Sequence, residues 1–278
     1  MKKSILFISF ATLVLSIIFI TPVNASSSKI FNNEAKTNII TTTYYDINDE
    51  IVKIEDKIVD DEELALYLKS YSEEKRMVIP TAENSLARDV GWPASYKSEA
   101  KQINLDYFRR SGDSTHAYIF GMVEWFTVPN VQQFDVLGIR WDGNATITNA
   151  KGRQSAVRNS QKISTDYNYK GNNMNVQSNG AGLSMNLYDN ASNYHLQFLI
   201  EIIPTSVSKV YFSYQHAVTN NITLAQSKSY TLSSSGLGNV IKFNSKTTEN
   251  KYDKMRGISY SYLLTYNVPD FDNMLFSY

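Results

Sequence analysis

The sequence predicts a mainly β fold: an antiparallel β-sandwich or barrel-like domain preceded by a short acidic helical segment. From about residue 86 onward charge thins out, Asn, Ser, Thr and Gly rise, and apolar residues recur with period 2. Turn signals break these runs roughly every ten residues, the rhythm of a sandwich or barrel. No strand–helix alternation suggests a parallel α/β sheet, and no internal repeat of fixed period is present.

The elements follow in order. Residues 1–25 carry Lys2 and Lys3, then an apolar run from Ile5 to Ile20, then Pro22, Val23 and Ala25 before a serine stretch. This is the layout of a secretory signal with a small-residue cleavage site, and it predicts export. The apolar run is slightly short for a membrane-spanning helix of about 20 residues. Residues 26–80 read as an acidic N-terminal segment, either a pro-segment or arm with one helix or a segment whose helix packs on the sheet. Asp60 and Asp61 sit where an N-cap is wanted, Glu63 follows as a capping-box partner, and Leu64, Tyr67, Leu68 and Tyr71 form one apolar stripe. Residues 51–54 suit a short strand before that helix. Lys75-Arg76 offers a processing point where the composition changes.

The β domain is expected over 81–278. Residues 116–128 are rich in aromatic and β-branched side chains, as in a strand buried on both faces. Residues 134–141 follow the Pro129-Asn130 turn signal, which suggests a hairpin between the two. Residues 160–193 read as shorter strands around long polar loops. In 194–203, Tyr194, Leu196, Phe198, Ile200 and Ile202 share one face, and His195, Gln197 and Glu201 share the other. In 209–218, Val210, Phe212, Tyr214, His216 and Val218 face one way and Tyr211, Ser213 and Gln215 the other. The apolar sets are expected in the core and the polar sets on a solvated face.

Composition narrows function. Without the first 25 residues the chain has 25 basic and 27 acidic residues, a net charge of −2. That leaves no basic footprint for nucleic acid. Cysteine is absent, so an exported chain must hold together by packing alone, and neither a thiol nucleophile nor a zinc–thiolate site is available. No H-E-x-x-H, G-x-S-x-G, P-loop or EF-hand pattern occurs. His195 and His216 should point to opposite sides of their sheet, so no metal site is expected, and no cofactor is implied. Glu124, Glu201, Asp135 and His116 are the residues from which a hydrolytic site would have to be drawn. In overall style the chain resembles exoproteins of low-GC Gram-positive bacteria, a resemblance of kind that covers no alignable stretch and transfers no residue.

These readings converge on a secreted β-sandwich that binds a glycan, a cell-wall polymer or a membrane surface at the cell envelope or on an outside target. Trp92, Tyr96, His195, Gln197, Glu201, Tyr211 and Gln215 are the candidate binding residues, as aromatic and polar groups on loops and sheet faces. The alternatives are a membrane-active, pore-forming toxin, for which residues 160–186 are polar enough to line a lumen, and a hydrolase of envelope polymers.

Overall fold

The computed structural model describes residues 35–48, 50–71, 77–78, 95–233, 240–253, 257–268 and 271–275. Its strands and helices, in chain order, are β1 (Ala35–Tyr45), β2 (Ile51–Val59), α1 (Asp61–Ser70), β3 (Met77–Val78), β4 (Ser95–Arg110), β5 (Ala117–Trp125), β6 (Phe134–Asp142), β7 (Ala145–Arg158), β8 (Gln161–Asn168), β9 (Met174–Gln177), β10 (Gly180–Asn186), β11 (Ser192–Pro204), β12 (Lys209–Gln215), α2 (Leu224–Ser227), β13 (Tyr230–Leu232), β14 (Ile241–Phe243), α3 (Lys246–Glu249), β15 (Ile258–Tyr260) and β16 (Leu264–Tyr266). A large sheet runs β2-β1-β4-β5-β11-β7-β8, with β3 and β16 also pairing β4. A small sheet runs β15-β12-β6-β10-β9, and β13 and β14 form a ribbon of their own. Every pairing is antiparallel except β16 with β4.

The fold is therefore mainly β and antiparallel, a sandwich with its core between the two sheets. Ile103, Leu105, Ile119, Val123, Leu196, Phe198 and Ile200 of the large sheet face Leu137, Ile139, Leu183, Val210 and Phe212 of the small one, all fully buried. The period-2 reading of β11 and β12 places these apolar sets correctly. The polar sets are not solvated, however: Gln197 and Ser213 are fully buried, and His195, Tyr211 and Gln215 nearly so.

The reason is that both sheets are covered on their outer faces as well. On the large sheet, α1 lays Leu64 against Ala100, flanked by Tyr67 and Leu68. Farther along that face Val268, Phe271, Met274 and Leu275 pack on Phe108, Tyr118, Phe120, Met122 and Leu199. On the small sheet, Ile222, Tyr230, Leu232, Ile241 and Phe243 cover Val136 and Tyr211. Burial on both faces explains why every residue from 99 to 108 in β4 is inaccessible.

Two further expectations are corrected. Residues 117–142 do not form a hairpin: β5 lies between β4 and β11 in the large sheet, whereas β6 pairs β10 and β12 in the small one. The Pro129-Asn130 turn marks a crossing between sheets. Nor do residues 35–70 stand apart from the sandwich. β1 sits inside the large sheet, paired with β2 on one side and, over eleven residues, with β4 on the other. In α1 the Asp60 carboxylate caps the helix by accepting the Glu63 N–H at 2.8 Å. The Glu63 side chain reaches Lys57 instead of closing a capping box. The export signal and the Lys75-Arg76 site lie outside the described residues. Among the described residues no helix is long and apolar enough to cross a membrane.

Candidate functional site

The sequence-derived binding residues do not form one surface. Trp92 lies outside the described residues. Tyr96 is half-buried at the start of β4, with its ring centroid 5.9 Å from that of Tyr44. Tyr211 and Gln215 belong to the outer face of the small sheet. There the Tyr211 hydroxyl donates to Asp142 while Arg140 stacks 4.1 Å from its ring. His195, Gln197 and Glu201 lie on the outer face of the large sheet, and only this group is joined by further polar residues into an extended arrangement.

Strand register builds that arrangement, because directly paired residues project to the same side of a sheet. One row crosses Asn38, Gln102, Glu124, His195 and Ser155. Gln102 Nε2 donates to Asn38 Oδ1 at 2.6 Å, and Asn38 Nδ2 donates to Asp61 at the start of α1 at 2.8 Å. Burial raises the Glu124 carboxyl above its ordinary range, with Lys36 pulling the other way. Burial, helped by the charge of Lys162, lowers His195 to about 4, so its ring is neutral at pH 7. The adjacent row holds Asn104, Met122, Gln197 and Arg153. Asn104 is fully buried, and its side-chain amide makes no hydrogen bond among the described residues.

Six residues beyond His195 on β11, Glu201 closes the face at its accessible end. Its carboxylate accepts the Thr148 hydroxyl at 2.8 Å, and Glu201 pairs directly with Tyr118 of β5 across the sheet. The Tyr118 hydroxyl donates to Asp113 at 3.3 Å. In the turn between β4 and β5, Asp113 accepts the backbone N–H groups of Thr115 and His116, each at 2.9 Å, and sits 3.1 Å from His116 Nδ1. Those donors, the His116 N–H foremost, hold the Asp113 carboxyl down to about 2. A row of polar groups thus runs Thr148, Glu201, Tyr118, Asp113 and His116, Glu201 and Tyr118 being cross-strand neighbours. An open cavity of about 460 Å³, walled by Arg110 and the 111–116 turn, flanks one end. A second, of about 380 Å³, lies at the other end between Thr148, Lys151, Tyr169, Lys170 and Phe271.

The four residues from which a hydrolase was drawn are not brought together. Glu124 and Glu201 are roughly 20 Å apart along the sheet at about 3.3 Å per residue. Paired glycosidase carboxylates are about 5–9.5 Å apart. Asp135 is sealed between the sheets. Glu201 and His116 share the accessible end, with Tyr118 and Asp113 standing between them.

Asp135 belongs instead to an interior charge cluster that sequence reasoning missed. Asp135 lies 3.1 Å from His216 Nδ1, accepts the Ala217 N–H at 2.9 Å and receives the Tyr214 hydroxyl. On the other side of the imidazole, Glu99 is 3.4 Å from Nε2. Lys101 Nζ bonds Asp253 at 2.8 Å and Thr41 at 3.1 Å, and lies 4.7 Å from the Trp125 ring centroid. Asp253 also accepts the His216 N–H at 2.9 Å. Glu99, Lys101, Asp135, His216 and Asp253 are all 2 % exposed or less. One signal was present: Lys101 falls in phase with Ile103 and Leu105, a cation on an apolar face. Its partner Asp253, 152 residues away, had no local pattern to reveal it.

No protein-family model matches the chain, and no curated protein matches it.

Proposed function

We propose that the chain is exported and acts by binding, with the accessible end of the large sheet's outer face taking a hydroxyl-rich ligand such as a glycan or cell-envelope polymer. The observation that carries this reading is the row of polar groups from Thr148 to His116 with an open cavity at either end. Hydroxyls, carboxylates and an imidazole alternate along it as donors and acceptors. The half-exposed ring of Tyr169 adds apolar area of the kind sugar rings stack on. The groups best arranged for acid–base chemistry, Asp135, His216 and Glu99, are closed off from any substrate. That favours a binder over a hydrolase.

The same structure weakens the pore-forming alternative. Residues 160–186 are divided between sheets, β8 on the large one and β9 and β10 on the small one, with Met174, Leu183 and Met185 in the core. Export rests on the N-terminal signal pattern. The test is retention on a glycan array and on purified envelope polymers, comparing wild type with Tyr169→Ala and Glu201→Gln. Retention that falls about tenfold or more in either variant supports the reading. No retention on any of these materials sinks it.

A further inference from the structure

Nothing on the accessible face uses the charges sealed between the sheets, and a buried ion cluster stabilises a fold weakly for what its desolvation costs. We propose that the cluster around His216 and Asp253 is a proton-loaded clamp: the two sheets close around it with uptake of protons, so the sandwich is held more tightly at mildly acid pH than at alkaline pH. The inference is independent of what the outer face binds.

The geometry supplies the reason. The clamp joins β4 of the large sheet, β6 and β12 of the small sheet, and the segment carrying Asp253, which covers their junction. The interior carboxylates Glu99, Asp135 and Asp253 face two basic groups, Lys101 and His216. With His216 neutral the acids outnumber the cation, and the surplus negative charge is buried away from bulk solvent. Each proton taken up by His216 or Asp253 reduces that surplus. From β2, Asp56 adds a more exposed negative charge, bonded to the Thr41 hydroxyl at 2.7 Å. The other titratable neighbours are phenols. Tyr214 of β12 donates to Asp135, and the charge of Glu99 is felt by Tyr67 of α1 and that of Asp135 by Tyr194 and Tyr252. Burial raises all four, so they stay neutral and cannot offset the carboxylates.

The directions agree with this. Burial opposes charge on His216, but Asp135 and Glu99 on either side of the ring outweigh it and raise its pKa. Burial, reinforced by Asp56, pushes Asp253 up to about 6 despite the attraction of Lys101. Burial also opposes the Lys101 charge, yet Asp253, Glu99 and Asp56 outweigh it, and Lys101 stays cationic. Both His216 and Asp253 therefore hold protons more tightly folded than unfolded. Their stabilisation is complete below the unfolded values and is lost as pH rises through the folded ones. For Asp253 the window runs from about 4 to about 6, and for His216 it extends above about 6.5. His195 works in the opposite sense, so the overall pH dependence of stability mixes signs and a local reporter is needed.

Trp125 provides one. Its ring lies 4.8 Å from that of His216, and its Nε1 donates to the Tyr214 hydroxyl at 3.0 Å. The fluorescence of the folded full chain, less that of Trp125→Phe, should change between about pH 5 and pH 9 as His216 titrates. That change should be lost in His216→Gln. Across the acid half of the same range, Asp253→Asn should flatten the pH slope of the urea midpoint relative to wild type. If the glutamine variant fails to fold, the imidazole proton shifts of His216 in the wild type give the same titration. A ring that stays neutral down to about pH 5 overturns the proposal. So does a Trp125 signal flat across the range, or an unchanged slope in Asp253→Asn.

Discussion

Gly121 is where β5 lets the small sheet approach. A Cβ on it would stand 2.6 Å from the Phe212 ring, closer than any real contact, and Phe212 is itself fully buried. Gly121→Ala should therefore cost roughly 1–3 kcal/mol through overpacking. Phe212→Ala should cost roughly 3–5 kcal/mol through the cavity it leaves. Because the two sites touch, the double variant should be less destabilised than the sum of the two. Urea titrations of the three proteins measure this, and simple additivity would show that the contact is not tight. At this scale the sequence was half legible. Period 2 assigned Phe198 and Phe212 to the core, since a strand's own alternation is local information. It said nothing of Gly121, whose role exists only where one sheet meets another. The same distinction separates Lys101, out of character on an apolar face, from Asp253, which is recognisable only once the chain has folded back on itself.

Among the elements, the N-terminal ones depart furthest from the sequence reading. Residues 26–80 looked like an arm because acidic residues crowd them and because β1 alternates through Thr and Asn instead of large apolar side chains. In the structure Ala35 to Tyr45 runs alongside Leu105 to Ser95 without a break in register. Thr41 bonds Lys101, and Leu64 of α1 packs on Ala100. Removing the segment would strip a neighbour from the most buried strand of the large sheet, exposing a long unpaired edge. It would also open one side of the charge cluster. If the chain is exported as proposed, the product should retain these residues, with an intact mass that begins near Ser26. A variant lacking 26–76 should be insoluble, or lack native circular dichroism. A soluble, folded product beginning after Arg76 would show instead that β1 and β2 are dispensable. The helix itself was readable, because a cap and an apolar stripe are local signals. Its packing on a sheet through that stripe was readable too, but not the strand that receives it, because that depends on Ala100 presenting a small surface far along the chain.

At the scale of the whole molecule, the shared strands decide how it comes apart. β4, β5 and β11 carry fully buried side chains on both faces: Ile103, Val123 and Phe198 toward the small sheet, Ala100, Phe120 and Leu199 toward α1 and the C-terminal cover. The outer covers and the inter-sheet core thus rest on the same backbone. Between the covers lie mostly polar residues, of which Asn104 and Gln197 are fully inaccessible while the covers stay in place. Losing one cover would wet a sheet face whose other side is the core. The core cannot separate without breaking the Lys101–Asp253 ion pair between layers. The predominance of antiparallel strands was legible in the sequence, though sixteen strands form among the described residues where nine or ten were expected. The outer layers were not, since a strand buried on a polar face reads as a strand facing water. The expected outcome is a single cooperative transition in urea. Tryptophan emission, which Trp125 and Trp141 tie to the inter-sheet core, should move at the same midpoint as far-ultraviolet circular dichroism, which reports every strand. If the dichroism changes first while the tryptophans stay buried, the covers melt as independent units and the layers are energetically separable.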